Sequence, residues 1–190
     1  MIRLGQSAVL LTVLALVGIS STVTPTDLSR RRTETATFAA GCFWGVEAAF
    51  RQVKGVTDTT VGYMGGTMPN PTYEQVLSRK TGHVEVCQVT YDPTQVSYEK
   101  LLAVFFQLHD PSAYNPDGRD LASQYRSVVF FHTAEQEKSA AEAIENLKNS
   151  GKFNKPIAVA VVPATEFWRA EEYHQRYDEK HGLKTCRIAS

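Results

Sequence analysis

Apolar and polar positions change period repeatedly along this chain, and each change marks a switch between strand and helix. Thr35 to Ala40 is a short strand-like run, and Val46 to Val53 is an apolar, helix-compatible segment. Val56 to Val61 reads as a strand that ends in the glycine-rich stretch Gly62-Tyr63-Met64-Gly65-Gly66. Val84 to Tyr91 alternates with period two, and Asp92-Pro93 stops it. Ser97 stands where it can cap a helix with apolar positions Leu101, Leu102, Phe105, Phe106 and Leu108, and Pro111 closes that region. Ser127 to Phe131 is a short buried strand. Thr133 and Gln136 form a capping box for a helix to about Asn149, which Gly151 ends. Ile157 to Val162 is a second buried strand, set between Pro156 and Pro163. Glu166 to His181 reads as a helix whose aromatic face is Phe167, Tyr173 and Tyr177. This mixture predicts an α+β fold: a two-layer sandwich, helices packed on a small mixed β-sheet, of ferredoxin-like type.

The N-terminus has a different pattern. Arg3 precedes an apolar run from Ala8 to Ile19, followed by Ser20, Ser21 and Thr22. Short charged start, apolar middle and small residues at the end are the layout of a secretory signal peptide. The run is short for a membrane-spanning helix, and no cysteine follows it to take a lipid. The expected organisation is a signal peptide at 1–20, a polar linker at 21–34 and a folded domain at 35–190. Arg30, Arg31 and Arg32 lie downstream, against the usual charge bias, so an uncleaved membrane anchor is the alternative. The expected location is periplasmic or secreted.

Length and charge narrow the classes. A chain of 190 residues suits one domain with a substantial core. Twenty basic residues balance twenty acidic ones, so nothing points to a nucleic-acid partner or a polybasic membrane patch. No repeat or low-complexity tract is present, and a monomer is expected.

The chemistry centres on Gly41-Cys42-Phe43-Trp44-Gly45. A thiol at the start of a helix meets unpaired backbone N–H groups and the positive end of the helix dipole, and both favour the thiolate. Phe43 and Trp44 offer it an apolar wall. A cysteine buried in a tight turn is the other reading. His83 and Glu85 flank Val84 and, by strand alternation, share a face with each other and with Cys87. If that face is buried, the Glu85 carboxyl pKa rises toward the range of a general acid near neutral pH. If it is solvated, Glu85 is an ordinary surface residue. His83 reads as a structural histidine, with base or metal ligand as alternatives, and Cys87 as a small buried hydrophobe. No Cys and His spacing matches a zinc site, so no metal is expected.

Gly41-Cys42-Phe43-Trp44-Gly45 resembles the signature of the peptide methionine sulfoxide reductase A family. The likeness continues in order through Gly62-Tyr63, Gly65-Gly66, Asn70-Pro71-Thr72-Tyr73, Thr81-Gly82-His83-Val84-Glu85 and Tyr91-Asp92-Pro93. His109-Asp110-Pro111, Gln124-Tyr125-Arg126-Ser127 and Ala170-Glu171-Glu172-Tyr173-His174-Gln175 complete it. The resemblance implies that Cys42 is the catalytic thiol and Glu85 the acid that protonates the sulfoxide oxygen. It implies that Tyr73 and Tyr125 hydrogen-bond around that oxygen and that Phe43 and Trp44 hold the S-methyl group. Asp120 corresponds to an acidic residue near the substrate backbone. Its surroundings, Pro116 to Ser123, depart from the family's usual Gln-Gly-Asn-Asp-x-Gly run, with Arg119 at an Asn-like position and Ala122 at a glycine.

The implied activity is reduction of methionine S-sulfoxide, free or peptide-bound, through a sulfenic acid on Cys42. Cys186, alone in a patternless tail, would resolve it to a disulfide, and a thioredoxin-type dithiol protein would restore both thiols. No cofactor is implied. Export would expose these thiols to oxidation and call for a dedicated periplasmic reductant. Two rivals differ in kind: a cysteine hydrolase with His83 as base, and a non-enzymatic thiol sensor or oxidised-methionine binding module.

Overall fold

Phe38 shows how the chain is held together. In this computed structural model, which describes residues 33–112 and 124–183, its ring stacks on Phe50 at 5.0 Å, Phe105 at 5.3 Å and Tyr98 at 6.1 Å. One strand residue thus joins two helices to the sheet. Burying each such ring is worth about 2–3 kcal/mol, so this cluster is a main source of cohesion. Residues 1–20, Asp120 and Cys186 lie outside the described residues, so the expectations for them have no structural counterpart here.

The elements run β1 (Glu34–Ala39), α1 (Phe43–Phe50), β2 (Val56–Met64), α2 (Tyr73–Leu77), β3 (Val84–Tyr91) and α3 (Tyr98–Gln107). They continue β4 (Val128–Phe131), α4 (Ala134–Asn149), β5 (Ala160–Pro163), β6 (Trp168–Arg169) and α5 (Tyr177–Lys180). The sheet order is β5-β4-β1-β3-β2-β6. Among the described residues only β4 and β5 pair in parallel, so the sheet is mixed. With six strands among the described residues it is larger than the small sheet expected.

The period-two pattern sorts β3 onto two faces. Cys87, Val89 and Tyr91 join the larger core with α1 and α3, while Val84 and Val86 join Ala39, Met64, Val128 and Phe130 on the other face. Ser97 accepts from the Lys100 N–H and caps α3 as expected. Thr133 accepts from the Gln136 N–H, but the Gln136 side chain accepts from the His132 N–H, one residue before the cap. The reciprocal capping box lies elsewhere, at Thr72 and Gln75, and starts α2.

Two expectations need correction. The strand expected at Val56 to Val61 does not end there: β2 runs on to Met64, paired to β3 through Tyr63↔Glu85 and Met64↔Val84. Glu166 to His181 is not one helix. Trp168–Arg169 is a strand on the open edge of β2, and only Tyr177–Lys180 is helical. The reason is backbone demand at that edge, where unpaired groups of β2 need partners. The Ala170 N–H donates to Val61 O at 3.0 Å. The Gln175 side-chain amide then accepts from the Val61 N–H and donates to Val61 O, both at 3.0 Å. Arg176 sits left-handed at φ 52°, its N–H held by the buried Glu47 carboxylate at 2.7 Å. Those fixed bonds outweigh helical propensity.

Candidate active site

β1 ends against the start of α1, and the turn between them sets the nucleophile. Gly41 takes φ 91°, a conformation that any side chain would strain. Cys42 is then the residue flanking the first helical turn, with φ −59° and ψ 121°. It is exposed and makes no side-chain cap hydrogen bond, though the nearby backbone N–H groups of Trp44 and Gly45 favour its thiolate. The expectation that this position favours the thiolate is overturned in its net effect. Burial of the sulfur's inner side pushes the thiol up, and the charges of Glu85 and Asp178 add to it. The two N–H groups pull the other way and do not compensate. At neutral pH the resting group is the thiol.

Glu85 lies on the helix side of β3 and is 1% exposed, which removes the solvated alternative. Its Oε2 accepts from the Phe43 N–H at 3.1 Å, so the acid is tied to the residue that follows the nucleophile. Oε1 is buried with no hydrogen-bond partner among the described residues. Burial pushes the carboxyl up to about 7, against the opposing pull of the Phe43 N–H. A carboxyl poised there holds a proton at neutral pH and can release it.

Two tyrosines border the same space. Tyr73 opens α2, its N–H donating to Glu171 Oε1 at 2.9 Å. Burial, then the Glu85 charge, raises its phenol to about 12, with Cys42 also contributing. Tyr125 is raised by burial and then by Glu85, with Cys42 again contributing. Its neighbours position it: Gln124 O accepts from the Glu85 N–H at 2.9 Å, and Arg126 donates to Gly82 O at 2.8 Å. Both phenols are hydrogen-bond donors at neutral pH.

The two aromatics divide their duties. Phe43 is 1% exposed, its ring set between His174 at 4.9 Å and Tyr63 at 6.1 Å. Trp44 is half-buried and held on two sides. Its indole N–H donates to His174 Nδ1 at 2.9 Å, and its face stacks on Tyr177 at 3.6 Å and 6°.

His83 is structural. The Gly66 N–H donates to its Nδ1 at 3.1 Å and its Nε2 lies 2.8 Å from Met68 O, so both ring nitrogens are occupied and neither is free to serve as a base. A Cβ on Gly66 would lie 2.5 Å from that ring, which is why the turn needs glycine there. Cys87 is fully buried, and burial holds its thiol well above the ordinary range, so it is inert. Among the described residues no group of three or more His, Cys, Asp or Glu could hold a metal ion.

Sequence reading gave no individual role to Glu171, His174 or Gln175. Glu171 accepts from both the Tyr73 N–H and the Tyr63 hydroxyl, the latter at 2.9 Å, and its carboxyl is held below the usual range by those bonds despite partial burial. The signal was present as a dense polar run among aromatics, but it fitted a helical stripe equally well.

An accessible thiol facing a buried, proton-holding carboxyl, with two phenols beside them, is the working part of a cysteine-dependent oxidoreductase. The family model for peptide methionine sulfoxide reductase matches residues 34–190, and the chain belongs to that family. It is 58% identical over 154 residues to the peptide methionine sulfoxide reductase MsrA of Methanoculleus marisnigri, covering 81% of this chain and 94% of that one. It is 54% identical over 153 residues to the MsrA of Acidobacterium capsulatum, covering 80% and 98%. Among solved structures, reduced Mxr1 from Saccharomyces cerevisiae is similar at TM-score 0.72 and 32% identity, covering 83% of this chain and 91% of that one.

Proposed function

We propose that this protein reduces methionine S-sulfoxide, free or peptide-bound, to methionine, and so repairs oxidised proteins. The observation that carries the reading is Glu85: a buried carboxyl near 7, hydrogen-bonded by the residue after Cys42. A sulfoxide sulfur is a poor electrophile until its oxygen gains a proton. Glu85 donates that proton while Tyr73 and Tyr125 donate hydrogen bonds to the same oxygen. The Cys42 sulfur attacks the substrate sulfur as a thiolate, from the state in which the pair holds a single proton and Glu85 carries it. The attack forms an S–S bond to the substrate sulfur; the protonated oxygen then passes to the Cys42 sulfur as that S–S bond and the substrate's S–O bond break, and the products are methionine and a Cys42 sulfenic acid. The substrate sulfur is reduced by two electrons and the Cys42 sulfur is oxidised by two.

Cys186 then attacks the sulfenic sulfur, releasing water and forming a disulfide. A thioredoxin-type dithiol reduces that disulfide and is itself oxidised. In this reading Trp44 and Phe43 line the site of the S-methyl group, and Asp120 takes the family's acidic role toward the substrate backbone. Choice of the S epimer follows the family, in which each epimer has its own enzyme type. The central strand order β4-β1-β3-β2, with α1 and α3 as crossovers, supports a ferredoxin-like core carrying two added edge strands. Residues 1–20 act as an export signal in this reading, which puts the enzyme in the periplasm or outside the cell.

The test is reductase activity with dithiothreitol on methionine S-sulfoxide, before and after Cys42→Ser. The serine hydroxyl is not ionised near neutral pH, so the variant is expected to be inactive. More than trace activity in the purified variant would reject the reading.

A further inference from the structure

We propose that His174 is a positioning residue for this reaction: it fixes the Trp44 indole by accepting its N–H, and so sets the shape of the wall that meets the substrate's S-methyl group. The inference rests on the function proposed above. It starts from a fully buried histidine that the chemistry of oxygen protonation and sulfur attack does not use.

The geometry around His174 is one of convergence. Its ring lies 4.9 Å from Phe43, 5.7 Å from Trp44, 4.5 Å from Tyr73 and 4.1 Å from Tyr173. It therefore touches both residues that follow the nucleophile and one of the two tyrosines that face the acid. Among the described residues, the ring's one hydrogen bond comes from the Trp44 indole at 2.9 Å. An indole nitrogen can only donate, so Nδ1 must be the acceptor and the neutral ring carries its proton on Nε2. Burial pushes the imidazole pKa down, which keeps that neutral form despite the nearby Glu171 and Glu74 charges.

Nε2 is buried with no hydrogen-bond partner among the described residues. Its nearest charged neighbour is Glu171 Oε2 at 3.9 Å, a carboxylate already engaged by Tyr63 and Tyr73. A histidine kept for stability alone would be expected to satisfy both nitrogens, as His83 does. Here one nitrogen goes unsatisfied while the other grips Trp44. With Tyr177 on its face and His174 on its edge, the indole loses both its tilt and its rotation. A wall placed this way discriminates substrates at the level of one carbon, and a single methylene in an apolar pocket is worth about tenfold or more.

Two variants separate the acceptor from the ring. His174→Phe keeps an aromatic ring and removes the acceptor; His174→Gln removes the ring and offers an amide oxygen. The chain holds two tryptophans, so both variants are made in a Trp168→Phe background where Trp44 alone reports. The Trp44 indole N–H should exchange slowly with solvent in the parent and in His174→Gln, and at least about tenfold faster in His174→Phe. KM for methionine S-sulfoxide should rise about tenfold in His174→Phe, with the single-turnover rate at saturating substrate within about threefold. Preference for the S-methyl over an S-ethyl sulfoxide should fall with it, and His174→Gln should recover most of both. Rapid indole exchange in the parent overturns the proposal without any variant. An unchanged KM in His174→Phe despite fast exchange also overturns it, as does a His174→Gln variant as impaired as His174→Phe. A parent with no sulfoxide reductase activity instead rejects the underlying function, whatever the exchange data show.

Discussion

Glu85→Gln separates activity from stability at one position. The wild-type carboxyl stands at about 7 because it is buried, where an ordinary one has 4.5. At about 1.4 kcal/mol per pH unit, that difference is on the order of 3 kcal/mol. The sign follows from proton binding. The folded state holds the Glu85 proton more tightly than the unfolded chain, so the associated stability is fully present below about 4.5 and is lost as pH rises through about 7. Glutamine does not titrate, so denaturant unfolding at pH 5 and pH 8 should show wild type losing on the order of 3 kcal/mol more than the variant. Activity should move the other way. The reacting pair needs one proton shared between Glu85 and Cys42: with two, the sulfur is a poor nucleophile, and with none, there is no acid. Wild-type kcat/KM should therefore rise about tenfold per pH unit below about 7, level off, and fall above the raised Cys42 thiol. The variant should lose about two to four orders of magnitude in the single-turnover step, and its limb near 7 should vanish. Identical pH dependence of unfolding in the two proteins would refute the burial argument. Near wild-type single-turnover rates would refute the acid role.

Cys186→Ser should still release about one methionine per enzyme without reductant, then stall as a sulfenic acid that dimedone traps, because chemistry at Cys42 precedes resolution. Thioredoxin-driven turnover should collapse, and full turnover in that variant would remove Cys186 from the cycle. N-terminal sequencing of protein made in its own cell should find a start between Ser20 and Asp27; an intact Met1 in a soluble cytoplasmic fraction would contradict export.

Local patterns along the chain were enough for β3, α3 and α4, because each has a strong period, and α3 and α4 also carry a side-chain cap. They were enough to single out Cys42, and they put Glu85 on the same strand face as Cys87. Alternation states which residues share a face but not which face is buried. The 1% exposure of Glu85, and the proton it holds as a result, come from α1 packing over β3. The net balance at the Cys42 thiol is equally non-local: the helix end favours the thiolate, and burial with Glu85 and Asp178 reverses it. Glu166 to His181 is the clearest divide. Its helical stripe was real, but residues a hundred positions earlier, Val61 and Tyr63, required partners for backbone and hydroxyl groups. Hydrogen bonds of that sequence separation have no periodicity to betray them. The grip of His174 on Trp44, 130 residues away, exists only once the chain has closed.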